Sequence, residues 1–115
     1  MHKKPFIIYQ GGKASFVVNI TQGPNKTPFD LINLAALTTC FEKEDGSELM
    51  ISLGSGITVQ GNPILGAILI ELSAAQAAGL IPVQLATLEL AITLTGSDPV
   101  KAQIINAYNV VAAVC

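Results

Sequence analysis

The chain has 115 residues, half of them hydrophobic and only 12% charged, with a net charge of −2. This length suits one domain with a single core. The few, scattered basic residues argue against nucleic-acid binding, and no apolar run approaches the ~20 residues of a membrane-spanning helix. Because the charged fraction is about half that of an ordinary soluble domain, we expect a subunit that buries part of its surface against neighbouring proteins.

The predicted elements begin with a short segment of β character, residues 6–10, which closes at two glycines. This segment is either the domain's own first strand or part of an arm, residues 1–12, that adds a strand to the sheet edge of a neighbour. Residues 14–21 form the next predicted strand, with apolar side chains on one face. Residues 22–28 are a loop, rich in glycine, proline and asparagine.

Six further strands are expected downstream, separated by turn signals such as Asp45-Gly46, a dipeptide that favours tight hairpins. They are residues 34–43, 48–53, 57–59, 66–72, 85–95 and 100–111. Seven or eight short strands with turns every ~8–12 residues are typical of a β-sandwich. The sequence therefore predicts an all-β fold with a single β-sandwich domain over residues 13–115.

One stretch, residues 73–79, has helical rather than β composition. Ser73 and Gln76 have the spacing of a capping box, in which each side chain bonds the backbone amide of the other residue. Four alanines between Ser73 and Gly79 favour helix, and Gly79 suits the left-handed position that ends one. We predict a helix of about two turns that carries the chain from one sheet to the other.

Several predicted strands are apolar on both faces, although an outer sandwich face ordinarily meets water. We interpret the extra apolar residues as an interface with another chain. The candidate interface residues are Phe6, Ile7, Ile8, Tyr9, Leu69, Ile105 and Val111.

A family resemblance rests on the order of turns and strands over residues 29–111. The matching elements are Asp30-Leu31, Glu44-Asp45-Gly46, Gly54-Ser55-Gly56-Ile57 and Gly66-x-Ile68-x-Ile70-x-Leu72-Ser73-x-x-Gln76-x-x-x-Leu80, followed by an alternating strand. This order resembles the immunoglobulin-like domains of phage tail and baseplate proteins, in particular the N-terminal domain of the siphophage baseplate upper protein family. The resemblance implies an immunoglobulin-like β-sandwich of seven or eight short antiparallel strands and a structural role in a virion.

Catalytic chemistry is not indicated by the sequence. The single histidine, His2, has no nucleophile and carboxylate grouped with it, and clustered Cys and His ligands for zinc are absent. The two cysteines, Cys40 and Cys115, are too far apart to suggest a disulfide framework, and we expect Cys40 to be a buried free thiol. We therefore predict no enzyme activity, no cofactor and no metal site.

These observations lead us to expect a multi-copy building block of a phage tail, baseplate or neck. Its partners would be other virion proteins and copies of itself in a symmetric homo-oligomer, with no nucleic acid and no membrane. It would be located in the virion, after assembly in the cytoplasm of the bacterial host. Two alternatives are a capsid decoration protein and a stand-alone carbohydrate- or protein-binding module. The carbohydrate alternative is weakened by the absence of Trp and by only two Tyr.

Overall fold

The computed structural model describes residues 5–22, 24, 25 and 27–112. Within this part of the chain, ten strands, one α-helix and one 3-10 helix follow one another. The strands are β1 (Phe6–Tyr9), β2 (Ala14–Asn19), β3 (Thr21–Gln22), β4 (Thr27–Pro28), β5 (Leu34–Glu42), β6 (Glu48–Leu53), β7 (Gly56–Val59), β8 (Ala67–Leu72), β9 (Val83–Leu94) and β10 (Val100–Val111). The 3-10 helix is Pro63–Leu65, and the α-helix α1 is Ala74–Ala78.

Eight strands pair in one sheet, in the order β1-β10-β9-β5-β6-β7-β8-β2, while β3 and β4 form a separate hairpin. The sheet curls until it is nearly a barrel. Its two edge strands come together, and the rings of Phe6 and Phe16 lie with their centroids 4.6 Å apart. The prediction of an all-β fold is confirmed. Strand pairing is continuous from β1 to β2, so pairing alone does not divide the sheet into the two layers of a sandwich.

The core lies inside the curl and is built by alternation along the strands. In β2, for example, every second residue is buried, because successive side chains point to opposite faces. The largest fully buried side chains come from six strands, from α1's exit and from the loop after β2. They are Ile8, Ile20, Leu37, Phe41, Ile51, Ile57, Ile68, Ile70, Leu72, Leu80, Leu88 and Leu90.

The N-terminal segment is the chain's own first strand in this structure. β1 pairs parallel with β10, from Phe6 opposite Tyr108 to Tyr9 opposite Val111. Ile8 lies in the core and is fully buried. Of the two interpretations of this segment, the structure therefore supports the first, in which it is a strand of the domain itself. Residues 1–4 of the predicted arm, which include His2, lie outside the described residues.

The region expected to be a loop, residues 22–28, is partly ordered as β structure. Thr21 pairs with Pro28 and Gln22 with Thr27, so the glycine and prolines confine the strands to two residues each rather than abolish them. The following turn approaches Gly66, whose φ is +69°. A Cβ at Gly66 would lie 2.6 Å from the Ile20 carbonyl oxygen, so only glycine fits there.

The helix α1 begins with the capping box expected from the sequence. The Ser73 hydroxyl accepts a hydrogen bond from the Gln76 amide (3.1 Å), and the Gln76 side chain accepts one from the Ser73 amide (2.9 Å). The prediction that Gly79 ends the helix in the left-handed conformation is wrong, since Gly79 has φ −89° and ψ −2°. Instead the chain passes straight into a bridge between Lys43 and Leu80. Here the Gly79 carbonyl accepts a bond from the Glu44 amide, and a Cβ on Gly79 would lie 3.3 Å from the Lys43 side chain.

Candidate binding cleft between β5 and β9

The sheet wall opens between β5 and β9. Their ladder runs from Leu34 opposite Leu94 to Thr39 opposite Leu90 and ends there. The two segments meet again where Lys43 bridges Leu80. Lys43 lies four positions after Thr39, whereas Leu90 lies ten positions after Leu80. The longer segment must bow away from the shorter one, which leaves a cleft closed at both ends.

An irregular start to β9 accommodates this excess chain. The first half of β9 pairs with β10, and the register of this pairing shifts on both sides of Tyr108. Leu85 occupies the left-handed region at φ 53°, the only described non-glycine residue with a positive φ. Its amide is bonded by the Asn109 side-chain oxygen at 2.6 Å. The side chain of Asn109 thus satisfies a donor that the irregular ladder would leave unpaired.

The cleft has a volume of about 690 Å³, a size typical of small-molecule sites. Its lining includes the aromatic rings of Phe41 and Tyr108, which meet edge to face. Thr39, a buried polar residue, donates a hydrogen bond from its hydroxyl to the Glu89 carbonyl at 2.5 Å. This side-chain bond lies where the ladder between β5 and β9 ends, and it holds the two strands together at that end of the cleft.

Tyr108 is the one aromatic hydroxyl of the cleft. The residue is 6% exposed, and among the described residues its hydroxyl makes no hydrogen bond, although it lines the cavity. The pKa of Tyr108 is raised above its ordinary value, first because burial disfavours the phenolate and second because of the negative charge of Glu42. No buried side-chain nitrogen or oxygen of the described residues lacks a hydrogen-bond partner, so this hydroxyl reaches the surface of the cleft.

Carboxylates dominate the charge of the rim. Glu42, Glu48 and Glu89 line the cleft together with one cation, Lys101. The Glu89 carboxylate accepts a hydrogen bond from the side-chain amide of Gln103 at 3.2 Å. The charge of Glu48 raises the pKa of the neighbouring Cys40 thiol. Glu42 is the carboxylate whose charge reaches the Tyr108 hydroxyl.

Cys40 is exposed rather than buried, which corrects the expectation from the sequence. Its neighbours Thr39 and Phe41 face the core, so alternation along β5 turns Cys40 outward. Its pKa is raised by partial burial beside the cleft, then by the charge of Glu48 and the hydrogen bond to it. Cys115 lies outside the described residues.

A second feature is an apolar strip on the outer face of β1, β9 and β10. We define the outer strip as Ile7, Tyr9, Leu85 and Val111, exposed by 51%, 56%, 52% and 38%. Tyr9 pairs with Val111, and Ile7 pairs with Asn109, which also bonds Leu85. The four side chains therefore belong to one continuous patch.

The predicted interface residues divide into separate places. Ile7, Tyr9 and Val111 come together in the outer strip. Ile8 is corrected, because it is fully buried in the chain's own core and no partner can reach it. The other three predicted residues lie elsewhere: Phe6 packs on Phe16 at the seam between β1 and β2, Leu69 is half-buried on β8, and the side chain of Ile105 lies outside the described residues.

Sequence reasoning missed Leu85 and the role of Tyr108. Leu85 has the same phase as Thr87 and Glu89 along β9, and this phase places it on the outer face. Tyr108 lies on the inner face of β10, but the cleft that it lines depends on a bow in β9 that alternation does not reveal. Pro82, which follows the helix exit, is the one local sign that the strand starts irregularly.

No group of three or more His, Cys, Asp or Glu suited to a metal ion occurs among the described residues. In that same part of the chain, no helix has the length and apolar character needed to cross a membrane. Comparison with known proteins finds no matching family model and no matching curated protein.

Proposed function

We propose that this protein is a structural component of a bacteriophage virion, a multi-copy building block of the tail, baseplate or neck that acts through protein–protein contacts. The observation that carries the proposal is the outer strip. Its four large apolar side chains stand exposed side by side on a protein with few charges, and contiguous exposed apolar area marks interaction surfaces. A symmetric assembly of identical subunits would cover this area on each copy.

The strand order supports an immunoglobulin-like assignment of the fold, the feature on which the resemblance to tail proteins rests. In the immunoglobulin sandwich one layer has the order B-E-D and the other has G-F-C, with C′ added in variable-type domains. The same orders are found here as β2-β8-β7 and as β10-β9-β5-β6. Along the chain these strands also occur in the order B, C, C′, D, E, F and G, as β2, β5, β6, β7, β8, β9 and β10.

The junction between these two groups of strands is slight. β6 and β7 share two parallel pairs, Ser52 opposite Gly56 and Leu53 opposite Ile57. Between them the chain turns at Gly54, which has φ +84°. We therefore interpret β6 to β7 as a corner at which the chain crosses from one layer of a sandwich to the other.

Imaging of labelled virions tests the proposal. Virions that carry an epitope on this protein, or wild-type virions with antibodies against it, would be examined by immunogold electron microscopy. Labels concentrated at the tail, baseplate or neck are the expected result. Labels spread over the capsid would identify a decoration protein instead, and purified virions without label would contradict a virion role.

A further inference from the structure

We propose that Leu85 anchors a two-fold symmetric contact between two copies of this chain, in which the Leu85 side chain of each copy enters a groove on the other. The groove is formed by residues 82–84, where β9 begins, and residues 109–112, where β10 ends. The inference rests on the proposed self-association through the outer strip, and it names the side chain and the groove that carry this association.

A β-bulge turns Leu85 out of the regular ladder. The strands β9 and β10 pair at Val83 with Val110 and again at Ala86 with Tyr108. Between these pairs, residues 84 and 85 of β9 stand opposite a single residue of β10, which is the arrangement of a bulge. Bulges of this kind re-aim a side chain. Here the side chain is that of Leu85, which is 52% exposed and takes no part in the core.

The backbone of Leu85 is strained. Its φ of 53° lies in the left-handed region, which glycine and asparagine adopt readily and leucine does not. The side-chain oxygen of Asn109 holds this conformation by accepting a hydrogen bond from the Leu85 amide at 2.6 Å. Because the core of the described chain does not use the leucine side chain, the strain has no return within the monomer. Backbone strain of this kind clusters at binding sites, and a partner that buries the side chain supplies the stabilisation that offsets it.

The groove lies directly beside the Leu85 side chain, which is not among the residues that line it. The groove has a volume of about 530 Å³, more than a leucine side chain occupies. Residues 82–84 precede Leu85 along the chain, and Asn109 on the opposite wall is the residue that bonds its amide. None of the residues of the groove or of the outer strip is charged. Two copies, each with a net charge of −2, therefore meet here without bringing like charges together.

A second copy is the occupant because the protruding side chain and the groove share one patch. In a two-fold contact, every contact of one residue with another is repeated with the two copies exchanged. An axis between Leu85 and the groove therefore uses both features twice, whereas an unrelated partner would need only one of them. Val111 belongs to the groove and to the outer strip alike, so the same contact covers Ile7 and Tyr9 of the strip.

Sedimentation equilibrium of the full-length protein measures the Kd of this association. Leu85→Asn removes the apolar side chain and introduces a residue that tolerates the left-handed backbone. We expect the Kd to rise at least about tenfold, because each dimer loses the contact twice. Leu65→Asn, at a similarly exposed leucine outside the patch, is the matched control and should leave the Kd unchanged. An unchanged Kd for Leu85→Asn would overturn the proposal, as would a monomeric wild-type protein at every concentration.

Thermal unfolding separates loss of contact from loss of fold. In dilute solution, where the monomer predominates, the melting temperature of Leu85→Asn should equal or exceed that of the wild type, because the backbone strain is relieved. A lower melting temperature would show that Leu85 serves the monomer's own fold and would overturn its assignment as an interface anchor.

Chemical cross-linking locates the contact. Chains that carry Leu85→Cys are mixed with differently tagged chains that carry Ala112→Cys, with Cys40 and Cys115 replaced by Ser in both. A short bismaleimide should join the two kinds of chain, while Leu65→Cys should not be joined to Ala112→Cys. Equal yields from the two mixtures would overturn the proposal.

Failure of this inference is distinguishable from failure of the proposed function. Self-association of the wild type that Leu85→Asn does not weaken would reject Leu85 as the anchor and leave association through the rest of the outer strip intact. Purified virions without label would instead reject the virion role, whatever the variants show.

Discussion

The rings of Phe41 and Tyr108 meet edge to face, with centroids 5.2 Å apart and planes inclined by 66°. Phe41 lies on β5 and Tyr108 on β10, and β9 runs between these strands in the sheet. The residue opposite Tyr108 on β9 is Ala86, whose small side chain lets the two rings reach each other. The contact joins the two sides of the cleft from within the core.

Truncation of Phe41 should therefore be costly. Phe41→Ala removes a ring that is 1% exposed, and we expect the free energy of unfolding to fall by about 3–5 kcal/mol. Chemical denaturation followed by circular dichroism measures the change. Cys40→Ala, at the next position but on the outer face, is the control and should change stability by less than about 0.5 kcal/mol. Similar losses in both variants would contradict the placement of these faces.

Gly66 should tolerate no side chain, because its positive φ coincides with a close backbone approach. Gly66→Ala would place a Cβ 2.6 Å from the Ile20 carbonyl oxygen and 2.8 Å from that of Phe29. We expect a loss above about 4 kcal/mol or failure to fold. Gly61 is a matched control, since its φ is +67° with no atom within 4 Å, and Gly61→Ala should cost only about 1–2 kcal/mol. Equal effects in thermal unfolding would show that the close approach is absent.

The capping box of α1 should contribute measurably to stability. Ser73→Ala removes the acceptor for the Gln76 amide, and the expected cost is about 1 kcal/mol. Ser15→Ala, at an exposed site on β2, serves as the control. The melting temperature of Ser73→Ala should fall below that of the control. An unchanged melting temperature would mean that the cap does not stabilise the helix.

The phenol of Tyr108 should titrate above the ordinary tyrosine pKa of about 10, since burial and Glu42 both raise its pKa. The folded state holds this proton more tightly than the unfolded state, so the stability contribution is present below the unfolded pKa and is lost as pH rises through the folded pKa. In a Tyr9→Phe variant, which leaves one tyrosine, phenolate absorbance reports the pKa directly. Glu42→Gln in that background should lower the pKa of Tyr108, and no difference would contradict the charge effect.

The Cys40 thiol should react slowly for an exposed cysteine, because its pKa is raised and the thiolate is the reactive form. In a Cys115→Ser background, alkylation by iodoacetamide near neutral pH isolates this thiol. Glu48→Gln removes one of the causes of the raised pKa and should increase the rate. A decrease, or no change, would show that Glu48 does not control the thiol.

Much of the fold could be predicted from local patterns. Alternation in β2, β8 and β9 identified the buried faces, and Ser73 with Gln76 marked the start of α1, because these signals depend on a few adjacent residues. Pairing between distant strands has no such local signal. The role of Ile8 as a core residue follows from parallel pairing with β10, and the cleft follows from unequal chain lengths between two contacts of β5 and β9. The end of α1 was mispredicted because a bridge to Lys43, remote in sequence, replaces the usual left-handed glycine.

The virion proposal requires that copies of this protein associate through the outer strip. Size-exclusion chromatography with light scattering tests this requirement most directly. Wild-type protein should show a mass that is a multiple of the 12.0 kDa chain. Replacement of Ile7 and Tyr9 by Ser should shift the mass toward the monomer, while Met50→Ser, at a still more exposed apolar site outside the strip, should not. A 12.0 kDa monomer at every concentration of wild-type protein would contradict self-association through this surface.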